Sequence, residues 1–255
     1  MKKIYILISI FLFTILALFP SKNLYSQINW QQLNGPGTGN VLIMGTNING
    51  DIYAVGDSGI FKSVDNCVHW MKSSNIIYNP LGNPLDLKFN SLGHIFISVS
   101  GIGKFVRSTN NGISWDIINI NTNKFIIDND NNILINTYQN GYKIFKSVDN
   151  GNSWFIVDSN FAEYVVNFAY NNNNSDIYAT TISGIYKSTN SGNNWNLIYT
   201  TGDRFNKIFI NSLGYIYCTS DRPFVGLSTL FRSSNNGSNW LTIYNNTEII
   251  NDLYI

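Results

Sequence analysis

The sequence predicts an all-β protein assembled from repeated units of four antiparallel strands. Three observations carry this. All six tryptophans, at positions 30, 70, 115, 154, 195 and 240, follow one another at intervals of 40, 45, 39, 41 and 45 residues. Five of them end copies of one short motif. Between the motifs the apolar residues alternate with period two, and no 3.6-residue periodicity appears after the first 26 residues.

The motif is legible in each copy. It reads SVDNCVHW (with Ser63, Asp65 and Trp70) and STNNGISW (Ser108, Asn110, Gly112, Trp115). It then reads SVDNGNSW (Ser147, Asp149, Gly151, Trp154) and STNSGNNW (Ser188, Asn190, Gly192, Trp195). The last copy is SSNNGSNW (Ser233, Asn235, Gly237, Trp240). A Lys or Arg precedes every Ser: Lys62, Arg107, Lys146, Lys187 and Arg232. An apolar strand comes before that basic residue, and another starts at each Trp, so the motif is a hairpin loop. Asp or Asn accepts backbone N–H bonds and holds such a turn. Gly supplies a positive φ. Cys67 stands where the other four have Gly, which predicts a looser first loop. The indole is expected to cover the hairpin and the next unit.

Ser/Thr-x-Asp-x-Gly-x-x-Trp resembles the Asp-box, or bacterial neuraminidase repeat, and the resemblance extends over residues 28–255. The motif occurs in sialidases, glucan-degrading hydrolases, sortilin-type receptors and Ycf48-like assembly factors. It implies a β-propeller and leaves function open, because enzymes and binding proteins share it. Asn110, Asn190 and Asn235 depart from the pattern at the Asp position, and Cys67 at the Gly position.

Each unit can be read strand by strand. From Pro84 the strands are LDLKF, HIFISVS, KFVRS and WDIIN, with NSLG as the first turn. From Phe205 they are FNKIFI, YIYCTS, STLFRS and WLTIYN. A period of roughly 42 residues is that of propeller blades, whose two apolar faces need neighbours. Five complete blades are expected. INWQQL near Trp30 reads as an orphan fourth strand and EIINDLYI at the end as an orphan first strand. These partial terminal strands suggest a six- or seven-bladed ring cut short.

Lys2 and Lys3, an apolar run from Ile4 to Phe19 and then PSKNLYSQ read as a signal peptide over residues 1–26. About 16 apolar residues are short for a membrane span. Residues 27–255 form the propeller domain of an exported, bacterial cell-surface or extracellular protein. Charged residues make up 12% of the chain and the net charge is +1. That is about half the usual charged share, and it offers no field to attract nucleic acid. Cys67 and Cys218 lie at unlike repeat positions and are expected to be unpaired.

Strand parity places the motif loops and the NSLG turns on one face, and the second-to-third loops with the inter-blade connections on the other. The longest irregular stretches, Met71–Pro84 and Thr219–Ser228, fall on that second face. Long loops there point to binding, with Tyr78, Arg204, Asp221, Arg222 and Phe224 as candidate ligand contacts.

No catalytic set stands out. The resemblance to sialidases implies three carboxylate-binding arginines, and Arg107 and Arg232 sit at the repeat's basic position instead. Glu163 and Glu248 are the only glutamates, and most Asp residues fall in turns. His69 and His94 read as structural, so neither a metal nor a cofactor is expected. The sequence thus reads as a non-catalytic, monomeric module binding a protein or glycan. A sialidase-like glycoside hydrolase with an incomplete active site is the alternative.

Overall fold

The computed structural model describes residues 35–36, 39–74, 82–100, 104–138, 140–158, 161, 163–222 and 227–246. Twenty strands, and no helix among the described residues, make five antiparallel four-stranded sheets. The first holds β1 (Val41–Thr46), β2 (Ile52–Gly56), β3 (Gly59–Ser63) and β4 (Met71–Ser74). The second holds β5 (Pro84–Phe89), β6 (Ile95–Val99), β7 (Lys104–Ser108) and β8 (Asp116–Ile118). The third holds β9 (Phe125–Ile127), β10 (Ile133–Tyr138), β11 (Tyr142–Ser147) and β12 (Phe155–Asp158). The fourth holds β13 (Val165–Tyr170), β14 (Ile177–Thr181), β15 (Ile185–Ser188) and β16 (Asn196–Tyr199). The fifth holds β17 (Arg204–Ile210), β18 (Ile216–Arg222), β19 (Leu227–Ser233) and β20 (Leu241–Asn246). Strands follow chain order within every sheet. The five complete blades expected from the tryptophan spacing are therefore present, each with its motif between the third and fourth strands.

Both faces of a blade are apolar, so the core lies in the seams. The first strands of consecutive blades pack on one another: β1 on β5, β5 on β9, β9 on β13 and β13 on β17. Four clusters fill the seams. Tyr53, Val55 and Ile60 of the first blade meet Leu87, Ile95 and Ile97 of the second. Phe96 and Phe105 meet Phe125, Ile133 and Phe145. Leu134 and Ile144 meet Phe168 and Ile177. Tyr178 and Ile185 meet Phe205, Ile216 and Phe231.

The tryptophans close these seams from the opposite side to the one expected. The indoles of Trp115, Trp154 and Trp240 turn toward the blade before their own. Trp154 stacks edge-on against Phe105 at 5.9 Å, and Trp240 lies over Tyr199 at 5.3 Å. The Trp115 Nε1 donates to Ser73 Oγ at 3.1 Å. The cause is the handed twist of the sheets, which tips the outer hairpin back over the preceding fourth strand. A matching contact is made three residues after Trp70, Trp115 and Trp195: Ser73 meets Gly112 of the next blade, Ile118 meets Gly151, and Ile198 meets Gly237. Ile243 holds that place in the fifth blade and is 42% exposed, and all six residues of β20 are exposed. Among the described residues no later blade covers it.

Candidate functional site on the face opposite the motif loops

The motif loops form one face and act as hairpin locks. In the third blade, Ser147 Oγ accepts from the Gly151 N–H at 2.7 Å and donates to Asp149 Oδ1 at 2.8 Å. Asp149 Oδ1 also accepts from the Ser153 N–H at 2.9 Å. Asn150 (φ 59) and Gly151 (φ 83) are both left-handed, which is why Asn and Gly stand there. Asn110, Asn190 and Asn235 present the same Oδ1 to Ser114, Asn194 and Asn239 N–H, each at 2.9 Å. The Trp Nε1 then donates to the Gly carbonyl, as from Trp195 to Gly192 at 2.9 Å. The first loop is not looser. Cys67 takes φ 68 and its N–H still reaches Ser63 Oγ at 2.9 Å. The hydrogen bonds of the turn outweigh the cost of a left-handed Cβ, about 1–2 kcal/mol.

The same face carries a second lock that sequence reading missed. Asn47 Nδ2 donates to Asn111 Oδ1 at 2.9 Å, and Asn90 Nδ2 to Asn150 Oδ1 at 3.0 Å, each one blade further on. The Tyr53 hydroxyl donates to the Asn111 carbonyl at 2.9 Å, and that of Tyr178 to the Asn236 carbonyl at 3.2 Å. Lys62 pairs with Asp51 and Lys187 with Asp176, both at 2.7 Å. The signal was in the sequence: Asp-Ile-Tyr-Ala occurs at Asp51 and again at Asp176. Four of the five basic residues before Ser are thus structural here. Arg107 Nη1 donates to the Asn150 carbonyl at 2.6 Å, and Arg232 lies over the Tyr215 ring at 5.8 Å. His69 Nδ1 meets Asp65 Oδ2 at 2.6 Å within the first loop. No group of three or more His, Cys, Asp or Glu side chains able to hold a metal occurs among the described residues. Cys67 and Cys218 are free and buried, and burial raises both thiol pKa values.

The opposite face holds a pocket of about 180 Å³. Its wall is the hairpin that joins β10 to β11, which carries Tyr138 and Tyr142. The connection from the second blade adds Asn121, Thr122 and Asn123, and Tyr164 comes from the connection into the fourth. The three phenol rings form a chain. Tyr138 and Tyr142 stand 5.3 Å apart at 71°, and Tyr142 and Tyr164 6.1 Å apart at 59°. Tyr138 is 68% exposed. Asn123 Nδ2 donates to the Tyr164 hydroxyl, while Ser98 Oγ anchors the Asn123 carbonyl at 2.7 Å. Asn136, buried at the floor, accepts from the Val165 N–H at 3.0 Å. Burial raises the Tyr164 pKa, offset in part by its bond from Asn123. The lining carries no ionisable group but these phenols.

The candidates drawn from the long loops fare differently. Arg204 and Asp221 are brought together, directly opposite each other on β17 and β18. One oxygen of Asp221, Oδ1, is buried with no hydrogen-bond partner among the described residues. Asp221 and Arg222 are not loop residues: the β18–β19 ladder runs on to Asp221↔Ser228 and Arg222↔Leu227. The stretch from Met71 likewise starts with strand β4. Both corrections have one reason, since a backbone that can pair in a ladder does so rather than leave polar groups unmatched. The Arg222 side chain, Tyr78 and Phe224 lie outside the described residues. The Arg204–Asp221 rung belongs to the fifth blade, so it does not join the tyrosine pocket of the third.

No protein-family model matches the chain, and no curated protein matches it. Solved structures do. An ancestral GH74 enzyme superposes with a TM-score of 0.64 at 22% identity, over 84% of this chain and 32% of its own. The GH74 xyloglucanase of Xanthomonas campestris gives 0.64 at 15%, over 84% and 39%. Ycf48 bound to D1 peptide gives 0.61 at 15%, over 76% and 67%. This chain thus spans well under half the length of either GH74 enzyme. Five four-stranded blades, seams sealed by repeated tryptophans and these neighbours identify the fold: the chain is an all-β propeller of the kind found in GH74 enzymes and Ycf48.

Proposed function

We propose that this propeller is an exported, non-catalytic binding module that takes a protein or glycan on the face opposite the motif loops. The observation that carries the reading is the Tyr138–Tyr142–Tyr164 pocket. Concave sites lined by aromatic rings with a few placed polar groups are the usual form of a binding site. Tyr and Asn together give rigid contact area with adaptable hydrogen bonding. Ycf48 in complex with a peptide and GH74 enzymes acting on glycan are neighbours in fold, which agrees with either class of ligand. The leader over residues 1–26 supports export.

A glycoside hydrolase is the second reading, favoured by the two GH74 neighbours. One feature weighs against a sialidase-like form. Arg107 and Arg232 are engaged on the motif face, whereas Arg204 starts β17 at the other end of its blade. Tyr186, by contrast, is hydrogen-bonded to Glu163, and a carboxylate placed to take a hydroxyl proton is one way a nucleophile is activated. Parallel glycan and peptide arrays, with fluorogenic glycosides and sialosides assayed on the same preparation, test the proposal. Saturable binding without turnover is expected. Turnover abolished by Glu163→Gln or Asp221→Asn would replace the binding reading with the hydrolase.

A further inference from the structure

We infer that the tyrosine pocket recognises an uncharged pyranose ring within a neutral oligosaccharide. This rests on the binding reading above and names its ligand class.

The pocket pairs two kinds of surface. Tyr138 is exposed at the rim, where Tyr142 packs against it edge-on and is itself backed by the tilted ring of Tyr164. Beside them stand amides and hydroxyls: Asn121, Asn123 and Thr137. A pyranose has the matching pair, a flat face of C–H groups and an edge of hydroxyls. A phenol ring covers the first, while amides, which both donate and accept, suit the second. Asn123 donates its Nδ2 to Tyr164, and its Oδ1 is an acceptor of the kind a sugar hydroxyl needs.

Charge and size narrow the class. Among the described residues, no Arg, Lys, Asp or Glu lines the pocket. An ionised sugar would give up hydration with no counter-charge in return. Recognition of a carboxylate or phosphate relies on guanidinium or ammonium donors that are not in this lining. The volume of about 180 Å³ is below the roughly 300–1,000 Å³ of sites that enclose a drug-sized ligand. One ring fits, and further units of a chain would run out over Tyr138. A peptide would also stack on tyrosine, so the test includes a peptide arm.

The test is calorimetric and NMR titration of the full chain with two panels. One holds neutral gluco-, manno-, xylo- and galacto-hexaoses; the other holds oligogalacturonate and sialyllactose. At least one neutral hexaose is expected to bind, and the acidic panel is not. Tyr138→Ala should weaken that binding about tenfold, the worth of one aromatic contact, and Tyr138→Phe should keep it. Tyr138 is exposed, so the variant is expected to melt like the parent, and Asn123→Ala provides a second, independent loss. Binding of the acidic panel as tight as the neutral one overturns the inference, as does failure of every neutral hexaose. In that failure a peptide library separates the two readings. Peptide binding lost in Tyr138→Ala keeps the binding site and changes its ligand, whereas peptide binding indifferent to Tyr138 removes the site as well.

Discussion

The Ser153 hydroxyl donates to Asp149 Oδ2 at 2.6 Å. In the second blade the same two positions bond in the opposite sense, with Asn110 Nδ2 donating to Ser114 Oγ at 2.7 Å. The hairpin therefore asks for one oxygen, Oδ1, on the turn side, and tolerates either chemistry on the other. Asp and Asn make the same turn-side hydrogen bond at neutral pH, and acid tells them apart.

Acid should thus act on two of the five hairpins. The side-chain and backbone bonds from Ser153 hold the Asp149 pKa at about 2, and the backbone and ring of His69 hold Asp65 at about 2. Both lie below the ordinary carboxylate value of about 3.9. The stabilisation is complete above that ordinary value and is lost as pH falls through about 2. Asp149→Asn is expected to leave the urea midpoint unchanged at pH 7 and to flatten its fall between about pH 4 and pH 2. Midpoints measured across that range check it, and a mutant that falls as steeply as the parent would contradict it.

Ser147→Ala should be more costly than any change at Asp149. Its hydroxyl is the acceptor for the buried Gly151 N–H, and no water reaches that group. Leaving a buried donor unsatisfied costs about 1–3 kcal/mol. Equilibrium urea unfolding should show a lower midpoint with an unchanged slope.

Gly192→Ala and Gly50→Ala form a matched pair. Both glycines are left-handed, at φ 86 and φ 83. A Cβ at Gly192 would come within 2.1 Å of Leu134 Cδ2, on the blade before, whereas one at Gly50 meets nothing within 4 Å. Gly50→Ala should cost about 1–2 kcal/mol for the backbone alone, and Gly192→Ala about 1–3 kcal/mol more for overpacking. Equal losses in thermal melts would mean that the seam yields to the motif loop.

Tyr53→Phe reports on how firmly the first two blades are joined. Its hydroxyl bonds Asn111 O and Oδ1 at 2.9 and 2.8 Å, while Asn47 and Asp51 continue to hold Asn111. The expected loss is about 0.5–1.5 kcal/mol, with enhanced hydrogen exchange in the loop from Asn110 to Trp115. A loss without local exchange would place the effect elsewhere.

The blades were readable because their signals are local. Ser147 to Trp154 spells out a turn whose bonds all fall within five residues, and Lys104–Ser108 matches the KFVRS strand read from sequence. The side to which Trp154 turns was not readable, since the twist between blades is a property of whole sheets. The pocket was missed for a related reason. Asn123 and Tyr164 come from two separate inter-blade connections and Tyr142 from the start of β11, none of them within a motif, so only ring geometry makes them neighbours. Loop length pointed instead to Asp221 and Arg222, which the ladder absorbed.

The neutral amides of Asn110, Asn190 and Asn235 have one more consequence. Mobile ions shield attraction between opposite charges, yet they find little to shield in a bond from a peptide N–H to a carboxamide oxygen. Three of the five turns therefore hold equally well in dilute buffer and in brine, and ionic strength acts chiefly on peripheral pairs such as Arg107 with Asp116.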